Sequence, residues 1–567
     1  MRTKRRQHCL NKMAGKSSRC ILPFLLVGFF LYIQFFHGLG RLGLVGPDEP
    51  RYAQVAREMM VSGDFITPHL YGKPWFEKPV LYYWLAAQSY RVLGVSEIAA
   101  RLPAAISAII LFFTVLTIGW KWRSLQCGFV AGLMLASSPM CIAFGRAASM
   151  DMLLSAALTL SLAGFYFGLS LSGGNSRVTQ VRQGEFPRIW LCAAYFSLGV
   201  AILAKGPVSL VLVGLILIIF FTLRPEMHSW KKLWLIPGGF LSIAVALPWY
   251  VLCFQTNGWA FIREFIFQHN LARFATDRFQ HSQPIWFFLS VLIVGFLPWT
   301  PQFGAAFIQD LKRLRHPDKS ASNSGRLFFW IWVIVPLVFF SLSRSKLPGY
   351  VLPIFPAMAL LTASYWEARW KEFSSQPAQI NHPRVELFQS ILMIGAGLGL
   401  LIWGQRLNLA LENSLPLVSW IMIAMGGIGL YLIYLGNYRA LFVCYLAGCS
   451  LAVLLIVHQI FPRVDAIEST RQLASTLEHE GYQGEPVFAY GVPRQVAYGL
   501  SFYLNSEAHI IYSLDEVDTR EAKSFYLLTK SSTDARELAH RFEVEKEVPF
   551  HRQRLWKLHS NGAGNAR

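Results

Sequence analysis

The chain has 567 residues, of which 54% are hydrophobic and only 15% are charged. An average soluble protein is about 25% charged, so this composition excludes an ordinary soluble globular protein. The formal net charge is +20, but the basic residues fall in short segments between apolar runs and are not gathered on one tail. That distribution argues against a nucleic-acid partner and is typical of a membrane protein.

Apolar runs long enough to enter a bilayer recur along the chain, where about 20 apolar residues make one spanning helix. The first run follows a basic segment, is too long for the apolar part of a cleaved signal peptide, and lacks a small-residue cleavage site. We interpret it as a retained signal anchor. The sequence therefore predicts a polytopic α-helical membrane protein with about 13 transmembrane helices, at 21–39, 102–120, 127–144, 150–171, 189–204, 207–222, 233–253, 285–305, 327–343, 348–366, 387–403, 417–435 and 439–460.

The charges of the loops predict which side of the membrane each faces. Residues 1–20 form a basic tail, and if this tail is cytoplasmic, nearly every short Lys- and Arg-rich loop falls on the same side, as the positive-inside rule requires. The long loops 41–101 and 254–284 then lie outside, together with the hydrophilic segment 461–567. We expect residues 21–460 to form the membrane domain and 461–567 a small extracytoplasmic α/β domain.

Several segments outside the spans have recognisable periodicity. Helical spacing of apolar residues predicts amphipathic helices at 50–61 and 79–92 in the first long loop. In the C-terminal segment, helix-like stretches at 467–480 and 536–542 alternate with strand-like stretches at 486–490, 509–512 and 524–528.

The unusual polar residues all fall at the predicted outer boundary of the membrane. A charge at the bilayer centre costs about 2.5–3.5 kcal/mol even on the mildest scale, and residues at the boundary avoid most of that cost. Together they could surround an outward-facing cavity. The candidates are Asp48, Glu49, Glu77, Lys78, Asp151, Lys205, His269, Arg273, Lys346 and Tyr350.

Each candidate also has a structural explanation. Asp48 and Asp151 could cap the helices that begin beside them, Lys205 could extend towards the lipid headgroups, and Tyr350 could anchor the chain at the interface. Glu77 and Lys78 could form a surface pair at a helix start, and His269 could be an ordinary loop histidine.

Five stretches, in this order, resemble the GT-C membrane glycosyltransferases. Within that class the chain resembles the bacterial aminoarabinose transferases and the dolichyl-phosphate-mannose protein mannosyltransferase superfamily. The longest and most specific stretch is GPDEPRYAQVAREMMVSGDFITPHLYGKPWFEKPVLYYW, at 46–84; the others are the isolated Asp151 segment, LAKGP, FQHNLARF followed by QPIWFF, and SKLPGYVLP.

The resemblance implies a multi-pass glycosyltransferase of the bacterial inner membrane, with a cytoplasmic N-terminus and a periplasmic C-terminal domain. It would move a monosaccharide from a polyprenyl-phosphate donor to lipid A, a glycan or a protein. Its other partners would be membrane lipids, and it would use no nucleotide cofactor. The resemblance assigns catalysis to Asp48, as general base or acceptor-activating carboxylate, and to Asp151, near the acceptor. It assigns donor phosphate binding to Arg51, Lys78, Lys205, Arg273 and Tyr350, and a divalent metal such as zinc to Glu77 and His269.

The chemistry of these residue types is compatible with that assignment. Departure of a polyprenyl phosphate develops negative charge, which Lys and Arg stabilise, while a carboxylate can activate an acceptor hydroxyl. Direct displacement with inversion fits this arrangement, and a retaining route stays open. Alternatives are a mannosyltransferase-like enzyme acting on protein or envelope glycan, and a secondary transporter. A transporter would place its polar residues near the midplane, often in repeated halves, and neither feature is visible.

Overall fold

The computed structural model describes residues 22–169, 187–225, 233–272, 283–313, 321–375, 383–404, 415–517, 524–533, 535–550 and 553–560. Within these ranges the chain is a large bundle of apolar helices followed by a small domain that contains a β-sheet. The tail 1–20, predicted to be cytoplasmic, lies outside the described residues.

The helices that precede the C-terminal domain follow the apolar runs. In chain order they are α1 Leu22–Phe35, α2 Asp48–Ser62, α3 Leu81–Leu93, α4 Glu97–Trp122, α5 Leu125–Ala136, α6 Pro139–Gly145, α7 Asp151–Gly168, α8 Pro187–Lys205, α9 Val208–Leu223, α10 Leu235–Ile262, α11 Phe287–Gly295, α12 Thr300–Arg313, α13 Ala321–Leu342, α14 Phe355–Ser375, α15 Arg384–Gly404, α16 Leu415–Tyr434 and α17 Tyr438–Leu455.

The polytopic helical fold is confirmed. Among the described residues, nine helical segments are long and apolar enough to cross a membrane, or up to eleven if each of two bent pairs, α5 with α6 and α11 with α12, is one span. Two shorter apolar helices are α1 and α9. Each of the thirteen predicted spans coincides with one of these segments, but the number that cross the bilayer remains a prediction.

The first long loop contains the two amphipathic helices that its periodicity predicts, with slightly different ends. α2 begins at Asp48 and α3 at Leu81. A short antiparallel hairpin, β1 His69–Leu70 and β2 Lys73–Pro74, joins them. Both helices bury aromatic and aliphatic residues against the bundle, among them Tyr52 and Tyr83.

The second predicted loop, 254–284, is helical over most of its described residues. α10 continues to Ile262 and leads into a π-helix at Arg263–Ala272, with a break at Gly258, where φ is 59°. Glycine adopts this backbone conformation without a Cβ penalty. Beyond the break, Phe261 packs on Phe76 of the first loop, with ring centroids 5.3 Å apart. This tertiary contact helps hold the segment against the bundle, which local polarity could not predict.

The C-terminal segment folds around a five-stranded sheet. Its predicted α/β character is confirmed, with β3 Val487–Tyr490, β4 Ala508–Ile511 and β5 Ser524–Lys530 at the three predicted strand positions. The remaining elements are α18 Phe461–Glu468, α19 Arg471–His479, α20 Arg494–Leu504, α21 Ala535–Ala539, β6 Phe542–Phe550 and β7 Gln553–Ser560. Sequence reasoning missed the helix α20 and the hairpin formed by β6 and β7.

The sheet has the strand order β4-β3-β5-β7-β6. β3 pairs in parallel with β4 and β5, whereas β7 pairs antiparallel with β5 and β6. Apolar side chains cover both faces: Leu473 and Leu500 lie on one side, and Phe525 and Trp556 on the other. Burial on both faces explains why the parallel strands β3 and β5 are mostly apolar rather than alternating.

Candidate active site

The turn that carries the first candidate carboxylate is held by its neighbour, Glu49. Glu49 Oε1 accepts hydrogen bonds from Arg101 Nε at 3.0 Å and the Ala148 amide at 2.6 Å. Its Oε2 accepts from Arg101 Nη2 at 2.7 Å and the Val45 amide at 3.1 Å. Glu49 therefore joins the α1–α2 turn to α4 and to the segment before α7.

Arg101 completes this buried ion pair. Its guanidinium also donates to the backbone carbonyls of Leu39, Leu42 and Gly43, at 2.8, 2.6 and 2.8 Å. A buried ion pair is tolerated only when its remaining polar atoms are satisfied, and here both partners meet that condition. Neither Glu49 nor Arg101 is in the predicted catalytic set, and their contacts indicate a positioning role for both.

Asp48, the residue before Glu49, has a different partner and is more exposed. It is the first residue of α2, and Pro47 occupies the N-cap position, so Asp48 does not act as the cap that its sequence context allowed. Its side chain accepts a hydrogen bond from Arg51 Nη2 at 2.5 Å and stays 47% exposed. The carboxylate is therefore both oriented and accessible to a ligand.

Arg51 connects Asp48 to the second acidic residue. Its Nη1 donates to Glu77 Oε2 at 3.1 Å, and Lys78 Nζ lies 3.3 Å from Glu77 Oε1. Burial lowers the pKa of Arg51, but the charge of Glu77 and the other neighbouring groups outweigh burial and raise the pKa above its usual value. The result is a row of alternating charges, Asp48, Arg51, Glu77 and Lys78, which we call the first charge cluster.

A second charge cluster forms where α7 begins and α8 ends. Lys205, the last residue of α8, donates to the carboxylate of Asp151, the first residue of α7. The Lys205 ammonium also lies 4.8 Å from the centre of the Tyr350 ring, within cation–π range. At the adjacent Gly349, an added Cβ would come within 2.8 Å of the Asp151 carboxylate. The LPGY turn therefore needs glycine to pack against this pair.

Both clusters lie at the same end of the helix bundle. The Ala148 amide bonds Glu49, and Asp151 follows three residues later, a stretch of at most about 11 Å. On the other side of the site, the Tyr250 hydroxyl donates to the Ile202 carbonyl of α8 at 3.1 Å. The Tyr250 ring contacts Phe261, with centroids 6.3 Å apart, and Phe261 packs on Phe76 beside Glu77.

The predicted metal pair has a different environment from the one expected. His269 Nε2 lies 3.9 Å from Glu264 Oε1, five residues earlier in the π-helix, and Glu264 is close enough to Glu77 for their charges to interact. Both Glu77 oxygens already have cationic neighbours, Arg51 and Lys78. Among the described residues no three His, Cys, Asp or Glu side chains are grouped to hold a metal ion. Glu77 is thus paired with two cations, and metal binding by Glu77 and His269 stays a prediction.

The predicted site residues are thus mostly gathered, in two groups. Arg273 lies outside the described residues. Of the residues that the prediction missed, Arg101 had a signal in the sequence, since an arginine that begins an apolar span needs a partner. Glu264 had none, because the prediction treated its segment as an irregular loop.

The C-terminal domain contacts the first charge cluster directly. The ring of Tyr498, from α20, lies 5.3 Å from the Arg51 guanidinium carbon. Asp465 accepts from the Gly43 amide at 2.6 Å, and the Tyr503 hydroxyl accepts from the Leu44 amide at 2.8 Å. The domain therefore supports the turn on which Asp48 sits.

Similarity to known proteins places this arrangement in a class. Residues 20–262 match the family model described as dolichyl-phosphate-mannose-protein mannosyltransferase. An enzyme of Proteus mirabilis, named undecaprenyl phosphate-alpha-4-amino-4-deoxy-L-arabinose arabinosyl transferase 2, is 28% identical over 80% of this chain and 78% of its own. An enzyme of the same name from Pseudomonas fluorescens is 31% identical over 64% of this chain and 59% of its own.

A solved structure has a similar fold. ArnT from Cupriavidus metallidurans, crystallised with undecaprenyl phosphate, superposes with a TM-score of 0.77, at 24% identity, over 94% of this chain and 98% of that one. The fold and these relatives make the chain similar to the GT-C membrane glycosyltransferases, and they support a multi-pass glycosyltransferase of the bacterial inner membrane. More particularly, it is an aminoarabinose-transferase-like protein. The transporter alternative is not supported.

We expect the substitution Glu49→Gln to destabilise the membrane domain. It would leave Arg101 buried without its counter-charge, and breaking a buried pair in this way costs about 3–5 kcal/mol. Thermal unfolding of the purified full chain in detergent would measure the effect. The matched control is Glu547→Gln, which removes a surface pair with Arg554 on the C-terminal sheet and should change stability by less than about 1 kcal/mol. Equal unfolding temperatures for the two variants would contradict the positioning role of Glu49.

Proposed function

We propose that this chain transfers 4-amino-4-deoxy-L-arabinose from undecaprenyl phosphate to lipid A at the outer face of the inner membrane. The names of its curated relatives, one of which it covers over 78% of its length, support the donor. The distribution of Lys and Arg between the loops supports an orientation with the N-terminus in the cytoplasm and the C-terminal domain in the periplasm.

The first charge cluster is the observation that carries this proposal. Arg51 and Lys78 both contact one carboxylate, Glu77, at 3.1 and 3.3 Å. Arg51 also holds Asp48, so the two cations contact two carboxylates. A phosphate oxygen could take the place of Glu77 between Arg51 and Lys78, and Arg supplies directional hydrogen bonds to phosphate. We propose that Arg51 and Lys78, assisted by Lys205, Arg273 and Tyr350, hold the donor phosphate and stabilise its charge as it leaves.

The acidic residues would serve the acceptor. Asp48 is accessible and oriented by Arg51, so it can position an acceptor oxygen and, for a hydroxyl, remove its proton. Asp151, held by Lys205, would orient the acceptor from the other side. In the step we propose, the acceptor oxygen bonds to the anomeric carbon as the bond from that carbon to the phosphate oxygen breaks. Undecaprenyl phosphate leaves with the electron pair, and the configuration inverts.

A second candidate is transfer to a protein or an envelope glycan. The match of residues 20–262 to a protein mannosyltransferase family model favours it. The donor site would be the same, because the charged clusters recognise the phosphate and not the acceptor.

A transfer assay with purified full-length protein separates these functions. We expect undecaprenyl-phosphate aminoarabinose to donate its sugar to lipid A but not to a peptide or glycan panel, as judged by mass spectrometry of the products. Transfer only to peptide or glycan would overturn the lipid A assignment, and no transfer from any polyprenyl-phosphate sugar would overturn the proposal itself. Since Arg51 and Lys78 already balance Glu77, we expect transfer to persist in EDTA. If EDTA abolished transfer and added zinc restored it, the result would establish a metal requirement.

Asp48→Asn should keep folding and membrane insertion but reduce transfer by at least about a hundredfold, the usual effect of removing a general base. The turn itself depends on Glu49, so the loss should appear without a change in unfolding temperature. Asp515→Asn, which alters an exposed pair with Arg541 in the C-terminal domain, is the control and should retain activity. Near-normal turnover of Asp48→Asn would remove Asp48 from catalysis.

Lys78→Ala should weaken productive donor binding, because a cation beside the donor phosphate is lost. We expect KM for the polyprenyl-phosphate sugar to rise about tenfold, corresponding to one charge-assisted contact. Steady-state kinetics over a donor titration would measure it. Lys73→Ala provides the control, since Lys73 lies on the nearby hairpin with its side chain 80% exposed. Kinetics identical to those of the parent would show that Lys78 does not contact the phosphate.

A further inference from the structure

A groove with charged residues lies at the end of the bundle away from both charge clusters. α9 begins just after Lys205 and ends at Leu223, a rise of about 24 Å for a helix of this length. α13 runs in the opposite direction and leads through Leu342 towards Tyr350. The start of α13 and the end of α9 therefore meet near the other face of the membrane.

The groove is mostly apolar and opens towards the outside of the bundle. Its volume is about 390 Å³. Leu223, Leu311 and Ile334, from the three helices α9, α12 and α13, are 55%, 52% and 49% exposed. In a membrane, side chains exposed on the outside of the bundle meet lipid acyl chains. The apolar lining is Ile219, Leu223, Phe307, Leu311, Leu327, Trp330, Ile331, Ile334 and Val335.

The polar end of the groove is built around one buried carboxylate. Asp310 is 7% exposed and accepts hydrogen bonds from Arg326, from Arg313 Nη1 at 3.3 Å and from Trp330 Nε1 at 2.9 Å. Arg224 lines the same end. Among the described residues, three guanidinium groups and one carboxylate therefore line the groove, and Asp310 helps to hold two of the guanidinium groups at its edge.

We propose that this groove binds an anionic glycerophospholipid of the leaflet opposite the transfer site. An acyl chain would lie along α9 and α13, and the headgroup phosphate would contact Arg224 and Arg313. Basic pockets between transmembrane helices at the cytoplasmic side are suited to anionic headgroups, and the orientation proposed above places this groove on that side. Phosphatidylcholine carries its own ammonium group and would gain less from the arginines.

The occupant is separate from the sugar donor. The groups that we assign to donor phosphate, Arg51, Lys78 and Lys205, lie at the other end of the bundle. A water-soluble phosphate would leave the apolar lining uncovered. The groove combines an apolar lining with a cationic edge, and this combination favours a lipid over a water-soluble phosphate.

Native mass spectrometry of the full-length protein, purified in detergent and titrated with phosphatidylglycerol or phosphatidylcholine, would test the proposal. We expect phosphatidylglycerol to bind at least about tenfold more tightly than phosphatidylcholine. The double variant Arg224→Gln/Arg313→Gln should abolish this preference. Arg188→Gln is the matched control, because Arg188 is exposed at the start of α8, at the same end of the bundle. Equal binding of the two lipids, or unchanged preference in the double variant, would overturn the site.

A second variant tests the apolar part without changing charge. Ile334→Trp should fill the groove and weaken phosphatidylglycerol binding about tenfold, while the unfolding temperature in lipid-free detergent changes little. Unchanged affinity in a folded Ile334→Trp protein would show that the lipid does not occupy the groove. Sugar transfer in phosphatidylcholine vesicles should survive in both groove variants, so failure here is distinguishable from failure of the proposed function.

Discussion

The buried ion pair between Glu49 and Arg101 is the interaction on which the site depends. It joins the turn before α2 to α4, and the Ala148 amide adds the segment before α7. Three parts of the chain that carry or precede site residues thereby meet at one carboxylate. Because the pair is buried and its polar atoms are used, a shift of any one part would leave a charge or an amide unpaired inside the protein. The contacts of Glu49 thereby hold the turn from which Asp48 reaches Arg51.

The two charge clusters have a common design. Each places an acid at the start of a helix and a cation within contact distance, as Asp48 with Arg51 and Asp151 with Lys205. An isolated charge would be costly at the edge of a low-dielectric region, and each charged group has an opposite charge in contact that offsets this cost. In the reaction we propose, an incoming phosphate would take the place of the internal carboxylate on the cations. The carboxylate would then be available to the acceptor.

The C-terminal domain is part of this design and not merely attached to it. Asp465 and Tyr503 bond the backbone of the α1–α2 turn, and Tyr498 covers one face of Arg51. Arg471 contributes to the same junction through contacts with Asp465 at 2.5 Å and Glu97 at 3.2 Å. These contacts place the domain directly against the turn that carries Asp48.

The sequence by itself determined the helical membrane fold, the amphipathic helices of the first loop, the α/β character of the C-terminal segment and most of the candidate residues. These follow from local properties: apolar length, helical spacing, and charges that avoid the hydrocarbon. Only the tertiary structure decided which residues contact each other. Glu49 meets Arg101 across 52 positions and Ala148 across 99, and Glu264 approaches the site because aromatic packing holds a helix where polarity suggested a loop. Such contacts depend on how the helices pack. Local composition does not indicate which distant segments of the chain come together.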